Sequence, residues 1–179
     1  MLLISLKELE HSEYHTHAHR LLRECLKTYG IDYSEDTPVT KNEMGKPSLT
    51  EHPLIHYNLS HARGISACIV TDRECGIDCE QIRKCSQGVM RRAFTERERE
   101  LVNSLPEEQQ DLMFTRIWTL KESYVKAIGI GVSYPMNTAE FLFDGNEIIT
   151  GISDCSFRQY LIHGSRYVVS VCRMNKDGE

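Results

Sequence analysis

The stretch from Pro106 to Gly129 restricts the fold more than any other part of the chain. Met113, Ile117, Leu120, Tyr124 and Ile128 recur every three or four residues and fall on one stripe at about 100° per residue. The spacing predicts a long helix ended by Gly129 and Gly131. A helix of that kind needs an apolar surface to lie on. The segments around it read mostly as short β-type runs, so the chain is expected to be α+β, with strands and helices mixed.

Residues 1–6 read as a strand. Residues 12–29 read as a helix, with Ser12 as N-cap, Gly30 as stop and Leu21, Leu22, Cys25, Leu26 and Tyr29 as its apolar face. Residues 32–50 are polar and turn-rich, and Ile55 to Asn58 is extended. Ile65 to Thr71 and Cys75 to Glu80 read as two strands joined in a hairpin by the polar turn between them. A helix over 87–104 is broken near Phe94, where Thr95 and Glu98 fit a capping box. Residues 139–143, 147–152, 157–162 and 167–173 are strand candidates, with turns at Gly145-Asn146 and Gly164-Ser165.

The 179 residues suit one domain or two small lobes sharing a core. A formal charge of −5 disfavours nucleic-acid binding. No apolar run reaches the roughly 18–20 residues of a membrane span, so no membrane role is expected. The first residues carry no basic leader, which leads to the expectation of a cytoplasmic protein, taken here as a monomer. None of the seven cysteines is spaced C-x-x-C, so we expect reduced, buried thiols. The histidines at 11, 15, 17 and 19 are read as solvated residues of the first helix rather than a metal site, since alternate helix positions do not share a face.

Asp78 and Glu80 are two apart in an extended segment, so both carboxylates point to one side. Like charges so placed call for a cation between them, and Mg²⁺ is the natural partner of hard oxygen ligands. An exposed strand edge with two solvated acids is the other reading. On the long helix, Glu122 and Lys126 form an (i, i+4) pair opposite the apolar stripe, with Lys121 at its edge. They are either a surface ion pair or, with Asp78 and Glu80, parts of a metal-and-lysine site suited to phosphoryl chemistry. Asn58-Leu59-Ser60-His61 lacks a nucleophile elbow and suits a phosphate contact or a plain turn. Gly45-Lys46-Pro47 sets a lysine in a rigid turn without a Walker framework.

In their order and spacing these blocks resemble the 4′-phosphopantetheinyl transferases of the surfactin-synthetase-activating type. The match runs through Gly45-Lys46-Pro47, Asn58-Leu59-Ser60-His61, Gly76-Ile77-Asp78-Cys79-Glu80, Phe94-Thr95-x-x-Glu98 and Trp118-x-x-Lys121-Glu122-Ser123-x-x-Lys126. Arg20, in His17-Ala18-His19-Arg20-Leu21-Leu22, extends it toward the N-terminus.

The resemblance implies two similar α+β lobes about a pseudo-twofold axis, divided here as 1–72 and 73–179, with coenzyme A between them. It implies that Asp78, Glu80 and Glu122 hold Mg²⁺, and that Arg20, Lys46, Ser60 and His61 grip coenzyme A phosphates. Lys121 and Lys126 would neutralise the pyrophosphate, Glu98 would be a further active-site acid, and Glu122 the base. The acceptor would be a serine of an apo acyl or peptidyl carrier protein, and 3′,5′-ADP would leave. The family's larger members carry more residues before the first helix, and Cys79 stands where an aliphatic residue is usual. A carrier-independent Mg²⁺ phosphotransferase or hydrolase and a non-catalytic binding module are the alternatives. Arg83, Lys84, Arg91 and Arg92, with Val89, Met90 and Phe94 as apolar anchors, form the expected carrier-docking patch.

Overall fold

The computed structural model describes residues 1–175. Its first half runs β1 (Leu2–Leu6), α1 (Tyr14–Lys27), a short hairpin of β2 (Val39–Lys41) and β3 (Pro47–Leu49), then β4 (His56–Ala62) and β5 (Ile65–Thr71). Its second half runs β6 (Cys75–Gln81), α2 (Gln87–Ala93), α3 (Glu96–Ser104) and α4 (Glu107–Ile128). A short hairpin of β7 (Leu142–Asp144) and β8 (Glu147–Ile149) follows, then β9 (Cys155–Ile162) and β10 (Tyr167–Met174).

The two halves repeat one plan. Each has a strand, a long helix, a small hairpin and two further strands, and each folds into an antiparallel sheet with its last strand in the middle. The orders are β1-β5-β4 and β6-β10-β9. Helix α1 covers the outer face of the first sheet through Leu22, Cys25 and Leu26 against Cys68 and Val70. Helix α4 covers the second sheet through Leu120 and Tyr124 against Phe141 and Cys172. The inner faces meet in a shared core, with Ile65, Ala67 and Ile69 on one side and Ile77, Cys79, Val169 and Val171 on the other. This is an α+β fold of two like lobes.

The expected hairpin between 65–71 and 75–80 does not form. Strand β5 pairs with β1 and β4, and β6 pairs with β10 in the other sheet. All seven residues of β5 are buried, which fits a central strand with both edges filled. The chain therefore crosses from one sheet to the other between Thr71 and Cys75, and the hairpin partner of β5 is β4. The polar stretch 32–50 also holds more order than expected. The Asn42 side chain accepts from the backbone N–H of Met44 and Lys46, folding the β2–β3 loop, and donates to Gly129 O.

Gly76 fixes how closely α4 approaches β6. A Cβ there would lie 2.0 Å from Ser123 O and 2.4 Å from Ala127 N. Only a glycine allows that contact, and the contact sets the helix turn carrying Glu122 and Lys126 beside the strand carrying Asp78.

Candidate active site

Asp78 points to the α4 side of β6 and is buried. Its Oδ1 accepts from Lys126 Nζ at 2.7 Å and from Ser60 Oγ at 3.0 Å. Lys126 Nζ also donates to Ile77 O and to Ser60 Oγ. Burial opposes the charge of Lys126, but Asp78 and Glu122 outweigh it and hold the ammonium above the ordinary lysine range. Asp78 Oδ2 is buried and has no hydrogen-bond partner among the described residues.

The other two acids gather around this point. Burial raises the carboxyls of Glu80 and Glu122 above the ordinary range, and the charge of Asp78 raises both further. Arg83 works in the opposite sense on each, and it pairs with Glu80 at 3.2 Å. Among the described residues no three His, Cys, Asp or Glu side chains form a ready metal cluster. The donors nonetheless fit a hard cation: three carboxylates, one with an orphaned buried oxygen, and two that resist ionising beside it. Cys79, between the acids, faces the shared core; burial pushes its thiol up to about 12, so it supplies no thiolate.

A cleft of about 280 Å³ lies beside this cluster and is reached by Glu122 and Lys126; Lys46, Leu59 and Met136 also line it. Lys46 Nζ donates to Ala127 O at 2.6 Å and to the carboxylate of Glu74. Glu74 also meets His56 Nδ1 at 3.2 Å. Neither Glu74 nor His56 stood out in sequence, because an ion-pair partner 28 residues away leaves no local spacing to read.

The structure thus brings Lys46, Asp78, Glu80, Glu122 and Lys126 into one neighbourhood. Others fall elsewhere. Ser60 is buried, and its hydroxyl donates to Asp78 and accepts from Cys79 N. Asn58 Oδ1 likewise accepts from Ile77 N. These side chains of β4 satisfy the outward N–H groups of β6, where a further strand would otherwise pair. Ser60 is therefore a seam and positioning residue rather than the expected phosphate grip. His61 alternates to the other face of β4, exposed, and stacks on Tyr14 at 5.8 Å between centroids. Burial, then His15, Lys126 and His11, lower its basicity. Arg20 lies exposed in a separate groove of α1 with His15 and Arg23 and does not line the cleft.

Lys121 and Glu98 also depart from expectation. Both are wholly buried and pair at 2.8 Å. Lys121 Nζ further donates to Met136 O and Ala139 O, while Glu98 accepts from Thr95 N and Phe141 N. The helix is buried on more than its apolar stripe, so Lys121 points into the protein. It cannot neutralise a ligand in the cleft from there, and Glu98 is no cleft acid. In the docking patch, Met90 and Phe94 are likewise core residues, at 0% exposure, and not surface anchors.

The model of the 4′-phosphopantetheinyl transferase superfamily matches residues 74–172, and the chain belongs to that superfamily. It is 37% identical over 132 residues to the 4′-phosphopantetheinyl transferase HetI of Nostoc sp., covering 69% of this chain and 55% of that one. It is 35% identical to the 4′-phosphopantetheinyl transferase gsp of Aneurinibacillus migulanus, covering 66% and 48%. A 4′-phosphopantetheinyl transferase of Bacillus subtilis is 29% identical over 84% of this chain and 69% of its own. The chain thus spans about half the length of the first two relatives. The solved holo-(acyl-carrier-protein) synthase of Bacillus anthracis overlays 56% of this chain and 94% of its own, at 23% identity and a TM-score of 0.47.

Proposed function

We propose that this protein transfers the 4′-phosphopantetheine group of coenzyme A to a serine hydroxyl of an apo acyl or peptidyl carrier protein. The observation that carries the reading is the Asp78–Lys126–Ser60 network, with Glu80 and Glu122 beside it, under a cleft reached by Lys46. Asp78, Glu80, Glu122 and Lys126 lie within the region matched by the superfamily model, residues 74–172.

Asp78, Glu80 and Glu122 would hold Mg²⁺, which when bound neutralises charge on a pyrophosphate. Lys46 and Lys126, which both line the cleft, bind phosphate oxygens, and His61 and Arg20 lie farther along the surface for the nucleotide end. Lys126 stays protonated and stabilises charge that moves onto the leaving oxygen. Glu122 Oε takes the proton of the attacking serine hydroxyl. The serine oxygen bonds to the pantetheine-side phosphorus, and the bond from that phosphorus to 3′,5′-ADP breaks. The carrier docks beside Arg91 and Arg92, both exposed; Lys84 is held by Asp111 at 2.8 Å and Arg83 by Glu80.

The repeat of connectivity supports lobes at 1–72 and 73–179, and the free, mostly buried thiols support a reducing cytoplasmic setting. The test is to incubate the protein with coenzyme A, Mg²⁺ and several apo-carriers and weigh each carrier. We expect the mass of one phosphopantetheine to be added to at least one carrier, and less with Arg91→Glu/Arg92→Glu at low salt. Consumption of coenzyme A without any carrier, with no carrier gaining mass, would overturn the reading.

A further inference from the structure

At one end of the interface between the sheets a second cleft opens, about 420 Å³ in volume, sharing no lining residue with the first. It is set on the face of the second sheet that points away from α4. Gln159 and Ser170 on the α4 face bond to that helix, and Arg158, Val171 and Arg173 alternate to the opposite face.

The register makes two of these lining residues close neighbours. Arg158 stands opposite Val171, and Arg173 opposite Ser156, so the two arginines are diagonal neighbours on one face. Such neighbours are roughly 7–8 Å apart, within reach of one shared ligand group. Two guanidiniums at that spacing repel unless an anion lies between them. Among the described residues neither finds one at hydrogen-bond distance. Arg158 is exposed and makes no hydrogen bond or ion pair among the described residues. Arg173 approaches Asp72 at 3.6 Å, too far for a hydrogen bond, and its buried Nε has no partner among the described residues. Asp72 is the acid among the lining residues, and Arg73 also approaches it at 3.6 Å. This positive site sits in a chain whose formal charge is −5.

The rest of the lining completes a ligand site: hydroxyls of Ser156 and Tyr160 beside the arginines, and an apolar wall of Ile69 and Val171. We infer that this cleft binds a small organic anion, a phosphate or carboxylate on an aromatic or aliphatic body. The anionic group is held between Arg158 and Arg173, where planar guanidiniums suit either headgroup, and the body lies on Tyr160 and Val171. The ligand touches residues 69–72 of the first half and 156–173 of the second, so it ties the two sheets together. The inference is independent of the transferase reading.

Phenyl phosphate and phenylacetate are the probes, titrated at low salt into the full chain by calorimetry, with thermal melting alongside. Saturable binding of at least one, with a higher melting temperature, is expected; the stronger binder identifies the headgroup. Arg158→Gln and Arg173→Gln should each weaken it by about tenfold or more, while Lys46→Ala, in the other cleft, leaves it unchanged. Arg158 is exposed, so its variant keeps the fold, and a circular-dichroism melt checks this. Absence of saturable binding by both probes, wild-type affinity in both arginine variants, or loss of binding in Lys46→Ala would each overturn the proposal.

Discussion

Helix α4 carries two lysines five residues apart, and each pairs with a carboxylate: Lys126 with Asp78 at 2.7 Å and Lys121 with Glu98 at 2.8 Å. Residue types and distances are almost the same, and the surroundings differ. Both side chains of the Lys121 pair are 0% exposed, whereas Lys126 is 28% exposed at the cleft. In the sealed pair the lysine bonds two carbonyls as well as the acid, and the acid bonds two backbone N–H groups. It ties the α3 cap, α4 and the segment 136–141 into one body. In the cleft pair one carboxylate oxygen is left without a partner. A satisfied buried pair holds the fold, and an unsatisfied one is open to a ligand.

The sealed pair gives the largest expected effect. Glu98→Ala leaves Lys121 buried and charged with no counter-ion, a loss of about 3–5 kcal/mol in unfolding free energy. The Glu98→Met/Lys121→Met double variant removes both charges and should recover a large part of that loss. Urea denaturation measures both. If Glu98→Ala unfolded at the wild-type midpoint, the pair would not be the structural tie argued here.

Next comes the cleft lysine. Lys126→Ala removes the donor to Asp78 and the charge expected at the leaving group, at a cost of about 10²–10³ in kcat. Its loss of stability should be smaller than that of Lys121→Ala, because water reaches the site. Steady-state transfer assays and melts on both variants check the contrast. A Lys126→Ala enzyme with normal turnover but a larger stability loss than Lys121→Ala would reverse the two assignments.

Much of this contrast was hidden in the sequence, for a physical reason. The stripe from Met113 to Ile128 marks one apolar face, so Lys121 at its edge and Lys126 opposite both looked available. What decides their exposure is packing from 136–141 and α3, and those segments meet α4 through contacts remote in sequence. The capping box at Thr95 and Glu98 was legible because it is local, but the second task of Glu98, on Lys121, was not. The strand Ile65–Thr71 was legible from its apolar run; its partner was not, since pairing depends on which sheet edges are free. Asp78 and Glu80 were readable as a same-side pair because strand alternation is a two-residue property. Ser60 read as a ligand contact because the Cys79 N–H of β6 that it satisfies lies across the seam between sheets.

The smallest effect sharpens the comparison by its sign. Glu122 has its carboxyl raised, first by burial and then by Asp78. Its folded pKa therefore lies above its unfolded one. The stability linked to this group is full below the unfolded value, near about 4.3, and is lost as pH rises through the folded value. Glutamine carries no such loss. Glu122→Gln should therefore melt higher than wild type at pH 7 without divalent metal, and the difference should vanish toward pH 4. Lys126 keeps Asp78 as its partner in this variant, so no charge is stranded. Glu98 is also raised by burial, yet removing its charge strands Lys121, whose side chain is wholly buried and whose ion-pair partner among the described residues is Glu98. The same Glu→Gln substitution thus stabilises the cleft and destabilises the sealed pair. Melts of both variants in chelator at the two pH values decide the matter, and equal signs at pH 7 would erase the distinction between the two sites.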